Sequence, residues 1–178
     1  MAAIFTKYLS LISLLVMIGT LNGCGLTQSI SDGSVALANS MMYKQIKTLH
    51  LDFLARPAIN NDEQGQPHTV VIRIYQLKER KQFDNASYAS LFNGDSNVLK
   101  DDVLVQRDIR LRPDENTVLD MPLEPDVRYI AVAGMFISPN DNANTWRRVL
   151  KREELDAVSA RQIEVSLQHL VLLPIKGA

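Results

Sequence analysis

From residue 47 onward the chain alternates apolar and polar positions in short runs separated by turn residues. The first run, "KTLHLDFLAR", puts Leu49, Leu51 and Phe53 on one face and Thr48, His50 and Asp52 on the other. That is the period of a half-buried strand. "PAINNDEQGQP", residues 57–67, follows as a loop, with two Pro, one Gly and three Asn or Asp. "HTVVIRIYQLKE" is rich in β-branched residues and reads as a second strand. The period then changes. In "RKQFDNASYASLF" Phe83, Ala86, Ser87, Ser90 and Leu91 fall at helical spacing. This predicts a short helix or two turns over residues 84–92, ended by "NGDSN".

"DVLVQRDIRL" is a strand with one charge, Arg107, on its apolar face. "RPDEN" is a turn. "TVLDMPL" is a short strand that belongs at a sheet edge, because Pro122 has no N–H to give to a ladder. "RYIAVAGMFI", residues 128–137, is almost continuously apolar, which predicts a central strand covered on both faces. After the turn "SPNDNAN" come "TWRRVLKR" and "RQIEVSLQHLVLLPI" as the last strands, with "EELDAVSA" between them. About seven strands with short turns and one or two short helices predict an antiparallel β-sandwich. A chain of this size buries about 68–70% of its unfolded surface and needs no staple.

Ahead of the strands, residues 8–21, "YLSLISLLVMIGTL", carry no charge and follow the single Lys7. The run fits the core of a signal peptide, about 7–15 residues, and falls short of the ~20 that span a bilayer. A buried N-terminal helix is the alternative. The run ends at "LNGC", residues 21–24, which holds the one cysteine of the chain. A lone thiol can fill a core, attack a substrate, ligate a metal or serve as an attachment point. "LNGC" resembles the lipobox of bacterial lipoproteins, in which the thiol receives a diacylglyceryl group, the chain is cut before the cysteine and the new amine is acylated. The resemblance implies a lipidated Cys24, a signal peptide over 1–23 and a mature chain of 155 residues. Gly25 after the cysteine resembles the outer-membrane pattern. One myristoyl-type chain binds a membrane only marginally, at about 0.8 kcal/mol per buried CH₂, so three acyl chains imply a permanent anchor. Residues 24–33 are small and polar, as a tether should be, and the sandwich domain with its helical additions is placed at 34–178. Val35, Ala38, Met42 and Ile46 suit a short amphipathic helix capped by Asp32 or Ser34, or an ordered coil packed on the first strand.

Charge is balanced, with 19 Lys and Arg against 20 Asp and Glu. Nucleic-acid binders usually show a basic face, so none is expected as a partner. One cysteine leaves no disulfide framework and no CxxC pair. His50, His68 and His169 lie far apart without metal-type spacing, whereas a metal site needs three or four converging ligands. No GxSxG elbow, Gly-rich phosphate loop or HExxH is present. Asp101-Asp102 and Glu153-Glu154 are adjacent pairs that read as solvated turns. No catalytic residue, metal or cofactor is assigned, the lipid on Cys24 apart. Trp146 reads as core, with Arg147 and Arg148 alternating around the sheet edge, and Tyr75, Tyr88 and Tyr129 as core or rim residues with surface hydroxyls.

"VVIRIYQLKERKQFDNASYASLF" resembles the signature of the type VI secretion outer-membrane lipoproteins, the TssJ (SciN/VasD) family. The matching positions are Arg73 to Lys78, Phe83, Ala86, Tyr88, Leu91 and Phe92. "RYIAVAGMFI" is similar to that family's central strand and "TWRRVL" to its Trp-Arg strand. The resemblance covers roughly residues 45–172. It implies a transthyretin-like β-sandwich of seven to eight strands, anchored in outer-membrane lipids on the periplasmic side and without enzymatic activity. The partners it implies are the periplasmic C-terminal region of TssM and other subunits of the type VI membrane complex. It also implies that the loop between the first two strands makes the TssM contact. Here that assigns Arg56, Pro57, Ala58, Ile59, Asn60, Asn61, Asp62, Glu63, Gln64 and Gly65 to partner binding. The loop is long for a hairpin, whose loops usually have about 2–5 residues. Ile59 is a candidate apolar anchor within it, and Asn60, Asn61, Asp62 and Glu63 a polar rim. The motif residues Arg73 to Lys78 and Trp146 are expected to maintain the fold. The alternatives are a lipoprotein sandwich that binds carbohydrate or helps assemble another surface structure such as a pilus, and a periplasmic hydrolase.

Overall fold

Strand β1 (Thr48–Ile59) buries Leu49, Leu51, Phe53 and Ala55 and leaves the residues between them half-exposed, as its alternation predicts. The computed structural model describes residues 46–92 and 97–175, all within the unit Met42–Ala178. The signal segment 1–23, Cys24, the tether 24–33 and all but the last residue of the helix predicted over 35–46 lie outside the described residues.

Seven more strands follow: β2 (Val70–Leu77), β3 (Val103–Leu111), β4 (Asn116–Pro122), β5 (Tyr129–Met135), β6 (Arg147–Lys151), β7 (Arg161–Leu167) and β8 (His169–Leu172). They form two four-stranded sheets, β4-β1-β7-β8 and β3-β2-β5-β6. The predicted sandwich is present, with corrections. β1 continues through Arg56, Pro57, Ala58 and Ile59, which the sequence reading gave to the loop. Its pairing with β7 shifts register between Ala55 and Ile59, and such a bulge accommodates Pro57, which has no donor. The pair β1–β7 is parallel, the one parallel pair among the described strands. No hairpin joins these two strands, so nothing obliges them to run antiparallel. "RQIEVSLQHLVLLPI" is a hairpin rather than one strand. Leu167 takes a left-handed φ of 47° and the chain reverses so that Val165 pairs Leu170.

β4 is an edge strand, as Pro122 required, and β5 is central, paired on one side to β2 and on the other to β6. Arg107 lies on edge strand β3 and is exposed there. The predicted helical segment is two single turns, α1 (Lys81–Asn85) and α2 (Tyr88–Phe92). They cover the outer face of the second sheet over the small Ala131 and Ala133. Two contacts fix them there: the Tyr75 and Phe83 rings lie 5.8 Å apart edge to face, and the Tyr75 hydroxyl donates to Leu91 O at 3.2 Å. That hydroxyl is therefore buried rather than at the surface. Trp146 is core, with its ring 5.1 Å from that of Tyr88.

Two buried amides tie sheet to sheet, one at each end. Gln76, within the "RIYQLK" run, donates from Nε2 to Pro122 O at 2.7 Å and accepts the Glu124 N–H on Oε1 at 2.8 Å. At the other end Asn60 donates from Nδ2 to Thr69 O at 2.9 Å and accepts the Ile137 N–H at 2.7 Å. Both are nearly inaccessible, and both are satisfied, as buried polar groups must be. They show which ends of the sheets coincide. One pole carries the start of β1. The other collects the β1–β2, β3–β4, β5–β6 and β7–β8 connections.

Candidate functional site

The β1–β2 connection spans residues 60–69. It is braced from within by one carboxylate. Asp62 Oδ1 accepts the N–H groups of Gln64 (3.0 Å) and Gln66 (2.8 Å), and Asp62 Oδ2 lies 2.8 Å from His68 Nε2. The backbone closes the same turn: Gly65 N–H donates to Asp62 O at 3.0 Å, and Asp62 N–H to Gln66 O at 3.0 Å. Gly65 sits at φ 76°, a conformation that costs a side-chain-bearing residue and not glycine. The Asp62 carboxyl is held below its ordinary range, chiefly by His68 and then by the Gln66 N–H.

These contacts sort the residues assigned to partner binding. Ile59 is fully buried and belongs to the core, so it is no exposed anchor. It occupies a β1 position that alternates inward, and only the polar residues after it suggested a loop. Asn60 is buried too, and both ends of its carboxamide are engaged, so it belongs to no rim. Asp62 is spent on the loop's interior. Asn61 is half-buried. Glu63, Gln64 and Gly65 form the exposed tip, continued by Gln66, Pro67 and His68. Arg56, Pro57 and Ala58 are exposed on β1 outside the tip. Arg56 Nη2 lies 2.5 Å from Glu164 Oε2 of β7, which raises the guanidinium's pKa further. A shallow groove of about 290 Å³ runs past Arg56 and Pro57 to Asp114 and Asn116.

Sequence reasoning missed two other contributors to this pole. Ile137, at the start of the β5–β6 connection, and Leu167, in the β7–β8 turn, are apolar and 53% and 41% exposed. Asn60 gathers both beside the loop: its N–H donates to Leu167 O at 2.6 Å while its Oδ1 takes the Ile137 N–H. The only sequence signal for them was an apolar residue next to a turn. Among the described residues no group of three or more His, Cys, Asp or Glu is placed to hold a metal ion. The exposed large apolar residues among them are all aliphatic. What the pole offers is a rigid polar tip flanked by two aliphatic side chains, an arrangement suited to contact with a protein surface.

The family model described as type VI secretion lipoprotein (VasD, EvfM, TssJ) matches residues 47–170. No curated protein matches the chain. A chain in the solved structure described as "T6SS protein TssM C-terminal domain (869-1107) from EAEC" is 46% identical over 73% of this chain and all of that one, with a TM-score of 0.68. A chain of a "Type VI membrane complex" is 49% identical over the same shares, with a TM-score of 0.71. The type VI lipoprotein TssJ1 from Pseudomonas aeruginosa shares the fold at 22% identity, over 72% of this chain and 98% of that one, with a TM-score of 0.58.

Proposed function

The chain belongs to the type VI secretion lipoprotein family, and we propose that it is the subunit that fixes the type VI membrane complex to the outer membrane. In this reading Cys24 carries the N-acyl and S-diacylglyceryl groups, and the β1–β2 pole meets the periplasmic C-terminal region of TssM. Its role is mechanical, with no catalytic step.

The observation that carries this reading is the polarity of the sandwich. The chain enters β1 at one pole, and the braced loop stands at the other, twelve strand residues away. At about 3.3 Å per residue that separation is roughly 35–40 Å. A domain hung from its N-terminus therefore holds its loops toward a partner on the far side. The companion in the 46%-identical structure supports the identity of that partner. The named TssM fragment, 869–1107, is longer than the stretch of this chain that covers the matched chain completely. A matched chain shorter than that fragment supports reading it as a companion of TssM. The "Type VI membrane complex" likeness supports contacts with further subunits of that assembly.

The test is a titration of the TssM periplasmic C-terminal region with chains altered at the exposed tip only, Glu63→Lys with Gln64→Ala. Asn60 and Asp62 are left in place because they hold the loop's shape. At least about tenfold weaker binding, roughly 1.4 kcal/mol, is expected. Unchanged affinity overturns the loop assignment. For the anchor, Cys24→Ser should move the chain from the membrane fraction to the soluble periplasm and abolish secretion. Full secretion by such a soluble chain overturns the anchoring role.

A further inference from the structure

At the β1-entry pole lies a groove of about 320 Å³, lined by the last two residues of the 3₁₀ turn Arg152–Glu154, by residues 155–156 and 159–162, and by residues 173–175 after β8. Small-molecule sites occupy about 300–1,000 Å³, so it suits a compact ligand. In its wall is Arg161, 8% exposed. Its Nη1 makes a long 3.4 Å contact to Glu154 O, and its Nε is buried without a hydrogen-bond partner. A buried guanidinium in that state calls for an anion. The same groove is lined by three carboxylates, Glu153, Glu154 and Asp156. Each is held in place on one side. Glu153 pairs with Lys151 Nζ at 3.3 Å, Glu154 accepts the Lys151 N–H at 2.6 Å, and Asp156 accepts the N–H groups of Val158 and Ser159 at 2.8 and 2.7 Å. An ionised carboxylate has about four acceptor sites, so each keeps capacity for a further donor.

A simple anion in this groove meets three carboxylates, and a simple cation leaves Arg161 unanswered. A zwitterion with its charges one short linker apart satisfies both. Two aliphatic side chains mark where the rest of such a ligand lies. Val158 is 86% exposed on the turn that Asp156 holds, and Ile175, which lines the groove, is 51% exposed. The groove also lies close to the residues that lead into β1, since Arg152, the neighbour of its lining residue Glu153, donates from Nη2 to Ile46 O at 3.0 Å. We propose that this groove binds the phosphoethanolamine headgroup of a membrane phospholipid. The phosphate sits on Arg161, the ammonium lies among Glu153, Glu154 and Asp156, and Val158 and Ile175 rest against the lipid surface. This rests on the membrane-anchored reading above and adds a second, lipid-selective contact that sets how the sandwich sits on the bilayer.

The experiment is amide hydrogen exchange on the full acylated chain in nanodiscs, comparing phosphatidylcholine alone with equal parts phosphatidylcholine and phosphatidylethanolamine. A second arm titrates soluble glycerophosphoethanolamine onto the chain in detergent. Residues 153–162 should exchange about tenfold more slowly in the ethanolamine-containing discs. Glu153→Gln, a change at an exposed carboxylate, should remove most of that protection, and Arg161→Gln all of it. Equal exchange in both lipids, or protection untouched by Glu153→Gln, overturns the proposal. Protection by the soluble compound but not by the discs overturns the lipid source. A chain that fails to join discs of either composition refutes the anchor instead, and the soluble arm still reads the groove.

Discussion

Asn60 Oδ1 accepts the Ile137 N–H at 2.7 Å across 77 positions of sequence, and through that bond the β1–β2 loop and the β5–β6 connection become one surface. Asn60→Ala removes this acceptor and also the donor to Thr69 O, leaving two backbone groups without their partner. A buried polar group left unpaired costs about 1–3 kcal/mol, and because both of these bonds are only part-buried a total loss of about 1–3 kcal/mol is expected. Asn60→Asp should do no better. It keeps the acceptor for Ile137 but faces Thr69 O with an oxygen in place of an N–H. Denaturant midpoints check both variants, and a wild-type midpoint for Asn60→Ala refutes the role.

How much of this was legible in the sequence depends on whether the signal was local. The alternation of Leu49, Leu51 and Phe53, the edge position of Pro122 and the covered strand 129–135 follow from side-chain period and backbone donors, and all three stand in the structure. The β7–β8 hairpin was hidden because its reversal at Leu167 uses no Gly, Asn or Pro. The end of β1 was misplaced because Pro57 reads as a strand breaker unless a bulge accommodates it. At the candidate site, the polar tip was readable from composition. The burial of Ile59 and Asn60 was not, because it depends on strands that arrive from far along the chain.

The loop's internal brace carries a pH dependence. Asp62 has its pKa lowered from the ordinary 3.8 in the folded chain. A depressed carboxyl contributes stability that is fully present above the unfolded value and is lost as pH falls through the folded one. The tip should therefore stay ordered from neutral pH down to about 4 and loosen below that. Amide exchange at Gln64 and Gln66 reads this directly, since both N–H groups end on Asp62. Asp62→Asn should loosen the tip at neutral pH and flatten its pH profile, and an unaltered profile in that variant refutes the assignment.

Arg147 predicts which part detaches first from the outer face of the second sheet. Its guanidinium donates to Phe83 O at 2.7 Å, Ala86 O at 2.9 Å and Asp84 O at 2.8 Å, closing the C-terminal carbonyls of α1. A five-residue helix cannot hold by itself, since isolated helices under about 12–15 residues are marginal in water. A lysine ammonium has no planar fork to reach three carbonyls at once. Arg147→Lys should therefore cost about 1–3 kcal/mol and expose residues 81–86 to exchange while the β5 amides stay protected. Equal loss of protection in both places would make Arg147 a general core residue rather than a cap.

Arg152 makes the corresponding prediction at the pole where the chain enters. Its Nη1 donates to Glu124 O (2.9 Å), Pro125 O (3.0 Å) and Val127 O (3.2 Å), and its Nη2 to Ile46 O (3.0 Å). The side chain is 4% exposed, so water does not replace these bonds when it is shortened. The bond to Ile46 O ties the 152–154 turn to the residues that lead directly into β1. Arg152→Met keeps the apolar stem and removes every donor. About 2–4 kcal/mol of stability should be lost, from carbonyls left unpaired in the interior. The loss should appear first at the entry: amides of residues 47–49 exchange faster than those of Leu51 and Phe53. In single-molecule pulling through the N-terminus, β1 should peel from β4 at lower force, starting from the Thr48–Pro122 pair. A variant that loses global stability yet keeps wild-type exchange at residues 47–49 would show that Arg152 serves the 124–127 turn and not the entry of the chain.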